Sequence, residues 1–587
     1  MRVSVRSDRR VTVGVAGVYA MVSYVTMFPT WPSRLSTRIP DVVGDNLLNL
    51  WIFRWDGHHL FSGWADLWNA PIFWPNRNAL AYSDSLLPIA VVHRVLVSML
   101  RSDVLAFNLV FLAAAFASML GGYLLARRIT GSVGGAFVAG LVYAVATPRL
   151  VQYQHAQLGF GCFIPFVILL TVRYFDAPSI GRGLALGLVT ALLVLSTSYY
   201  GLMTLTALLV IVPGVLVTWR RFPMRRVGFG LVVGVICAAA LVAPVALKYN
   251  SVERHAALRR LPDPALAAHL GDFVRVPPDN RLIGNIAVLS EPTPGGVENF
   301  LFPGLVACGL GVIGLLTLLR HARELFAKRA LEILTLTFCC AASMVLLVFS
   351  FGAVVKVGNR LIGLPYSVVE GLPGFAGVRA TARFVAFPLL TLALLAALGL
   401  GRLTRTMPRR KRLAIVAACA AFFLVETSIP IKISTVPAAA EQTAVNHELA
   451  SIATGPVAEL PMVSRADGGN IWAGVEVPRM WLATIDGDPR VGGYSGEQPP
   501  GFTPFVRAVN RFPNNGAVDR LTSMGVRYVV LRVWNERRGA QPDSNGFYSD
   551  RQAKRIVSQL PHQTRNLGRY GDAYLITLYR TAGTPAP

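Results

Sequence analysis

About eleven apolar runs, each long enough to cross a bilayer core, decide what this chain of 587 residues can fold into. They fall near 11–29, 104–126, 132–147, 157–175, 183–198, 201–218, 227–246, 301–319, 330–350, 384–401 and 413–430. Hydrocarbon accepts only segments that satisfy their own backbone hydrogen bonds, so runs of this length and number predict a polytopic α-helical membrane protein. The 183–218 stretch is too long for one span, and Ser198-Tyr199-Tyr200-Gly201 supplies a turn inside it. Segment 86–100 is apolar but short and carries His93-Arg94, which reads as interfacial or re-entrant.

Lys and Arg number 56 against 31 Asp and Glu, a formal charge of +25. The basic residues sit in short blocks between apolar runs: Arg2 to Arg10, Arg127-Arg128, Arg220 to Arg226, Arg320 to Arg329 and Arg402 to Arg412. That distribution follows the positive-inside pattern of membrane proteins. A nucleic-acid surface needs a continuous basic face on one folded domain, so nucleic acid is excluded as a partner. With the N-terminus inside, every block falls on the cytoplasmic face. The stretches 30–103, 148–156, 247–300 and 351–383 then lie outside, and an odd number of spans puts 431–587 outside too. All six cysteines lie in apolar segments, where they pack as small hydrophobes. The first apolar stretch is long and lacks a small-residue cleavage site, so it reads as a retained helix. No Gly-rich phosphate loop with Lys-Ser/Thr, His-Glu-x-x-His or Gly-x-Ser-x-Gly occurs, so no nucleotide cofactor is expected.

Residues 431–587 change character. VAELPMV, VRYVVLRVW and DAYLITLYR read as short strands, VGGYSGEQPPGFTPF as a loop, and VDRLTSMG as a short helix stopped by Gly525. The expected organisation is a transmembrane domain over 1–430, with its first external loop at 30–103, followed by a soluble external α/β domain over 431–587.

That first loop is unusual. Connections in polytopic proteins are short, and a long one bearing acids and aromatics is there for a purpose. Its stretch 38–88 holds Asp41, Asp45, Asp56, Asp66 and Asp84 among five tryptophans and the pair His58-His59. Aromatic rings suit the bilayer interface, and carboxylates there can do acid/base or metal chemistry. An enzyme working at the membrane surface is the reading these residues favour.

Several segments together carry a family resemblance. They are a basic N-terminus, one span, the loop with WNAPIFWPNRNALAYSD, many further spans, LPGFAGVRATARF before a late helix, and VAELP and GVRYVVL beyond it. The chain resembles the bacterial polytopic glycosyltransferases of the GT-C superfamily, in particular the YfhO-like members. The resemblance implies transfer of a sugar from a polyprenyl-phosphate donor, on the external face of the bacterial inner membrane, to a glycan, lipid or protein acceptor. It also implies a loop carboxylate that assists the attack, with a divalent cation (Mg or Mn) near it. Where many members carry adjacent acids, this chain has the spaced pair Asp41 and Asp45. Two rival readings are a transporter or flippase for a lipid-linked glycan and a non-catalytic accessory protein of envelope glycan assembly. The spans are almost free of the mid-membrane charge that a transport pathway needs.

On a helix over 45–59, Asp45, Asn49 and Asp56 fall within about 40° of one another, with Leu47, Leu48, Trp51 and Trp55 on the other side. This describes an amphipathic interfacial helix with a carboxylate face. Asp45 leads as catalytic base and cation ligand, with Asp41 and Asp56 behind it. Alternatively these acids only solvate the face, and Asp41 or Asp45 caps the helix. Asp84 precedes an apolar segment as an N-cap or a site-lining group. Arg379 and Arg383, four apart, share a face if helical and suit a donor phosphate, or else anchor to headgroups. His155, with Gln152, Gln154 and Gln157, can bond a phosphate, ligate a metal or sit at the interface. Tyr199 and Tyr200 can stack on sugar or prenyl, or belong to the interface.

Overall fold

A computed structural model describes residues 2–28, 34–41, 44–62, 64–219, 221, 224–255, 263–291, 293–357, 360–534 and 546–579. Among these, seven helices are long and apolar enough to cross a membrane: Arg9–Met27, Asp103–Thr130, Ala156–Asp176, Ser198–Thr218, Met224–His255, Ala322–Ser350 and Thr381–Leu403. The other four anticipated segments are helical too. Val133–Val145 and Thr147–Gln154 form a pair bent by 43°. Ile180–Ser196 and Leu305–Arg320 are shorter apolar helices, and Arg409–Glu426 begins with Arg-Arg-Lys-Arg. This is a membrane protein.

The chain divides into two compact units. The first comprises Met1–Trp31, Asn108–Leu247 and Arg259–Lys432. Its centre is packed through glycines. A Cβ on Gly135 would collide with the Ala397 carbonyl, one on Gly314 with the Leu395 carbonyl, and one on Gly399 with the Leu310 carbonyl. Membrane helices gain nothing from hiding apolar surface from lipid, so close backbone approach and hydrogen bonds supply the cohesion. The Ser343 hydroxyl donates to Thr391 Oγ1 across two of these helices at 2.7 Å. The expected hairpin turn falls one or two residues early: Thr197 is extended (φ −160°, ψ 102°), and Tyr199 and Tyr200 stand in the first turn of the next helix. Residues 148–156, expected as a loop, are helical instead. Ala146 (φ −61°, ψ 150°) breaks the preceding helix, and Pro148 starts the next with its fixed φ and missing N–H.

The second unit comprises Pro32–Phe107, Lys248–Leu258 and Ile433–Pro587. The first loop thus shares a unit with the C-terminal residues instead of the spans. Strand Arg38–Pro40 pairs antiparallel with Ile433–Thr435. Beyond it, a four-stranded sheet runs in the order Val457–Leu460, Tyr528–Arg532, Ala573–Leu578, Thr564–Tyr570. Its first pair is parallel and the others antiparallel. Val445, Leu449, Val457, Tyr528, Val530, Ala573 and Leu575 form a buried cluster against this sheet. Three of the strands match the sequence expectation. The fourth, TRNLGRY, is an edge strand whose charges and glycine hide its β character, as edges often do. The end of the expected loop is also helical, Phe502–Val509.

A buried ion cluster ties the sheet to its helices. Glu459 accepts from Arg490 Nε at 2.8 Å and Arg532 Nε at 2.7 Å, with Arg479 Nε 3.9 Å away. Burial pushes this carboxyl up, but the three guanidiniums outweigh it and hold it down at about 2. Glu476, also buried and paired with Arg479, is pushed up to about 7 by burial.

Candidate functional site

Helix Asp45–Ser62 presents the three acids in three different environments. Asp41, 3 % exposed, accepts from the backbone N–H of Gly44 at 3.1 Å and of Leu47 at 3.3 Å, so its carboxylate caps the helix. Gly44 makes the turn between them at φ +109°, a conformation glycine adopts without strain. Asp45 opens the helix, is partly exposed, and accepts from the Tyr494 hydroxyl at 3.1 Å. Asp56 is fully buried, and neither carboxylate oxygen has a hydrogen-bond partner among the described residues. Burial alone pushes its carboxyl well above the usual range, which favours the neutral acid.

These environments correct two expectations. Asn49 is 4 % exposed and Asp56 0 %, so two of the three residues on the polar face of this helix pack into protein, and Asp45 alone of them meets solvent. Asp84 is not the N-cap of helix Leu87–Leu100 either. Leu86 holds that position at φ 53° with no side-chain cap, and Asp84 lies partly exposed before it.

In the first unit, the expected arginine pair separates. Residues 381–385 form a 3-10 turn and Arg379 precedes it, so the two do not share a helix face. Arg379 is exposed, and its guanidinium has no partner among the described residues. Its backbone N–H donates to the Tyr199 hydroxyl at 3.0 Å. Arg383 is buried and already neutralised. Its Nε donates to Glu298 Oε1 and Oε2 at 3.0 and 3.1 Å, and its NH2 to Oε1 at 2.5 Å. Its guanidinium also lies 4.8 Å from the Tyr199 ring centre. Gln152 Nε2 donates to Glu298 Oε2 at 2.9 Å, and Gln152 Oε1 lies 2.8 Å from His155 Nδ1. His155, Gln152, Glu298 and Arg383 therefore form one buried chain. Burial raises the Glu298 carboxyl, but Arg383, His155 and Gln152 outweigh it and leave it below the usual range.

Glu298 and Arg149 did not stand out in the sequence. Arg149 sits on the short helix after the break and donates to Ser118 Oγ at 3.2 Å and Tyr143 Oη at 3.4 Å. It has no carboxylate partner among the described residues. With Ser118, Gln152 and Tyr200 it lines a cavity of about 30 Å³. Tyr200 also lines an adjacent space of about 10 Å³ beside Glu298 and Arg383. Of these arginines, Arg383 alone is paired with a carboxylate, Glu298, and Arg149 and Arg379 have none among the described residues. The arrangement suits an anion.

Among the described residues no three His, Cys, Asp or Glu side chains gather to hold a metal ion. The expected Mg or Mn therefore has no cluster of three such ligands among the described residues.

Residues 12–427 match a family described as a domain of unknown function, DUF6311. The chain belongs to that family. No curated protein sequence matches it. Among solved structures it is similar to the arabinofuranosyltransferase AftD from Mycobacteria, at 15 % identity and a TM-score of 0.61, over 98 % of this chain and 40 % of AftD. It is also similar to the Archaeoglobus fulgidus oligosaccharyltransferase in its apo form, at 11 % identity and a TM-score of 0.50, over 89 % of this chain and 69 % of that enzyme. The chain thus spans less than half the length of AftD. At such identities these likenesses establish the fold, which is that of the GT-C superfamily.

Proposed function

We propose that this DUF6311 member is a membrane glycosyltransferase that moves a sugar from a polyprenyl-phosphate donor to an external acceptor. The structural neighbours named above are a glycosyl- and an oligosaccharyltransferase, which supports the reaction class. Asp45 is the general base, and the observation that carries this is the division of labour in its helix. Asp41 is spent on capping and Asp56 is buried, which leaves Asp45 as the accessible acid of the three. In the reaction, the acceptor hydroxyl oxygen bonds to the anomeric carbon and its proton passes to Asp45. The bond from that carbon to the phosphate oxygen breaks, and the lipid phosphate leaves with the electron pair. Tyr494, donating to Asp45 Oδ1, orients the carboxylate.

In the first unit taken by itself, Arg379 and Arg149 carry charge that no described carboxylate pairs with, which supports them as phosphate-binding groups, and the His155–Gln152–Glu298 chain holds Arg383 beside Tyr199. A donor of this kind also makes membrane lipid a natural partner. The basic blocks support an orientation in the inner membrane with the N-terminus inside and residues 431–587 outside. The purified full-length chain is to be tested with polyprenyl-phosphate-linked pentoses and hexoses. Asp45→Asn keeps shape and removes basicity, and general-base loss costs about two to four orders of magnitude in rate. Donor binding and folding should be unchanged. Full transfer by Asp45→Asn, with loss in Asp41→Asn, means the wrong aspartate; if neither matters, the accessory-protein reading stands.

A further inference from the structure

A cavity of about 460 Å³ in the second unit plays no part in the chemistry above. That volume is within the range of small-ligand sites. One wall is an aromatic ladder on helix Asp45–Ser62. Trp51 and Trp55 are stacked at 6.3 Å and 11°, and Trp55 and His59 at 3.8 Å, one turn apart in each case. Trp55 is fixed by its Nε1 donating to the Leu67 carbonyl at 2.8 Å. A second wall is polar: Arg54 and His58 from the same helix, Arg94 from helix Leu87–Leu100, and Asp103.

The cations are unequally committed. Arg54 is paired with Asp103 at 2.5 Å. Arg490 also borders the cavity but is bound to Glu459 and Asp486. Arg94 is exposed and has no partner among the described residues. Partial burial first, then His59, Arg94 and Arg54, lower the His58 imidazole. Thr484 adds a hydroxyl. Arg54 and His58 lie nine and thirteen residues beyond Asp45, or about 14–20 Å along the helix axis. An anion held there is therefore not bonded to a carbon reacting at Asp45.

We propose that this cavity binds an anionic saccharide, a sugar unit bearing a phosphate or carboxylate, with its charge on Arg94 and its body against the Trp51–Trp55–His59 wall. The anionic group follows from the geometry alone, and the saccharide body rests on the transferase reading, which makes the ligand a distal portion of the acceptor. Aromatic rings bury apolar sugar faces while their polar edges and the guanidinium meet hydroxyls and charge.

The test is calorimetric binding to the full chain in detergent, with no donor present. The probes are maltose, maltose 1-phosphate, a glucuronate-containing disaccharide and inorganic phosphate. At least one charged disaccharide should bind roughly tenfold or more tighter than both maltose and inorganic phosphate, and which one separates phosphate from carboxylate. Arg94→Gln should remove that tenfold advantage. Arg101→Gln, which removes the same charge from an exposed position outside the cavity, should leave it intact. Thr484→Trp should block binding by filling the space. The proposal is overturned if no charged disaccharide binds, if inorganic phosphate binds as tightly as they do, or if Arg94→Gln binds like the parent. Lost binding with intact transfer removes the pocket and spares the reaction; persistent binding without any transfer does the reverse.

Discussion

The sequence offers Arg383 to a donor phosphate or to headgroups, whereas the structure pairs it with Glu298, so its removal is expected to act on stability. The two side chains are 13 % and 6 % exposed and share three hydrogen bonds of 2.5 to 3.1 Å. At roughly 4 Å and an effective dielectric of about 20, such a pair gains about 4 kcal/mol of Coulomb energy. Removing one partner strands a buried charge and costs about 3–5 kcal/mol. Arg383→Met leaves Glu298 with Gln152 as its remaining described side-chain donor, and Glu298→Gln leaves Arg383 facing a neutral amide. Each single variant should therefore lose about 3–5 kcal/mol, while the double variant should lose far less than their sum. Equilibrium unfolding in mixed micelles with rising SDS, followed by intrinsic fluorescence, gives all four corners of the cycle. A coupling of about 2–3 kcal/mol is expected. Additive single effects, within about 0.5 kcal/mol, refute the reasoning. So does an Arg383→Met variant of parental stability whose donor affinity falls tenfold, since that arginine belongs to the ligand and not to Glu298.

Glu459→Gln should cost about 1–3 kcal/mol, because it removes the carboxylate that Arg490 and Arg532 share while leaving them Asp486 and Asp572; a parental unfolding midpoint contradicts this. Since Glu459 is held at about 2, its stabilisation is fully present above the unfolded carboxylate value of about 4.3 and is lost as pH falls towards 2; a Glu459→Gln variant should lack that acid-side slope. Asp56 acts with the opposite sign. Its folded value lies above the unfolded one, so stability is highest below about pH 4 and falls as pH rises from there towards the folded value, by up to about 1.4 kcal/mol per pH unit. Asp56→Asn should flatten that decline, and an unchanged profile from pH 4 to 8 counts against a neutral buried acid. Gly314→Ala should separate helices Leu305–Arg320 and Ala386–Leu403 and cost about 1–3 kcal/mol in the micelle titration; a neutral result denies the close contact.

The helices were legible because lipid leaves a chain few ways to satisfy its backbone, so a long apolar run is nearly a structural statement. Strands Val457–Leu460, Tyr528–Arg532 and Ala573–Leu578 were legible for a similar reason, being buried and rich in β-branched and aromatic residues. Edge strand Thr564–Tyr570 was not, since exposure relaxes what its side chains must be. Partners were invisible. Glu298 meets Arg383 across 85 residues, Gln152 meets Glu298 across 146, and Tyr494 meets Asp45 across 449. No local spacing announces such pairs. Helical periodicity correctly put Asn49 and Asp56 on one side, yet the same periodicity results whether that side meets water or protein.

Asp41, Asp45 and Asp56 show what decides a role once the residue type is fixed. All three are aspartates in or beside one helix, and the sequence could rank them only by position. Two backbone N–H groups occupy the first, so removing it costs the helix its start. Burial without a hydrogen-bond partner among the described residues raises the third and takes it out of solvent's reach. The middle one keeps access to solvent and has a hydroxyl to orient it. A base must be accessible and ionised at working pH, and must not owe its charge to the fold. Of the three, Asp45 alone keeps access to solvent, and the transfer assay on Asp45→Asn and Asp41→Asn therefore tests an assignment made by environment.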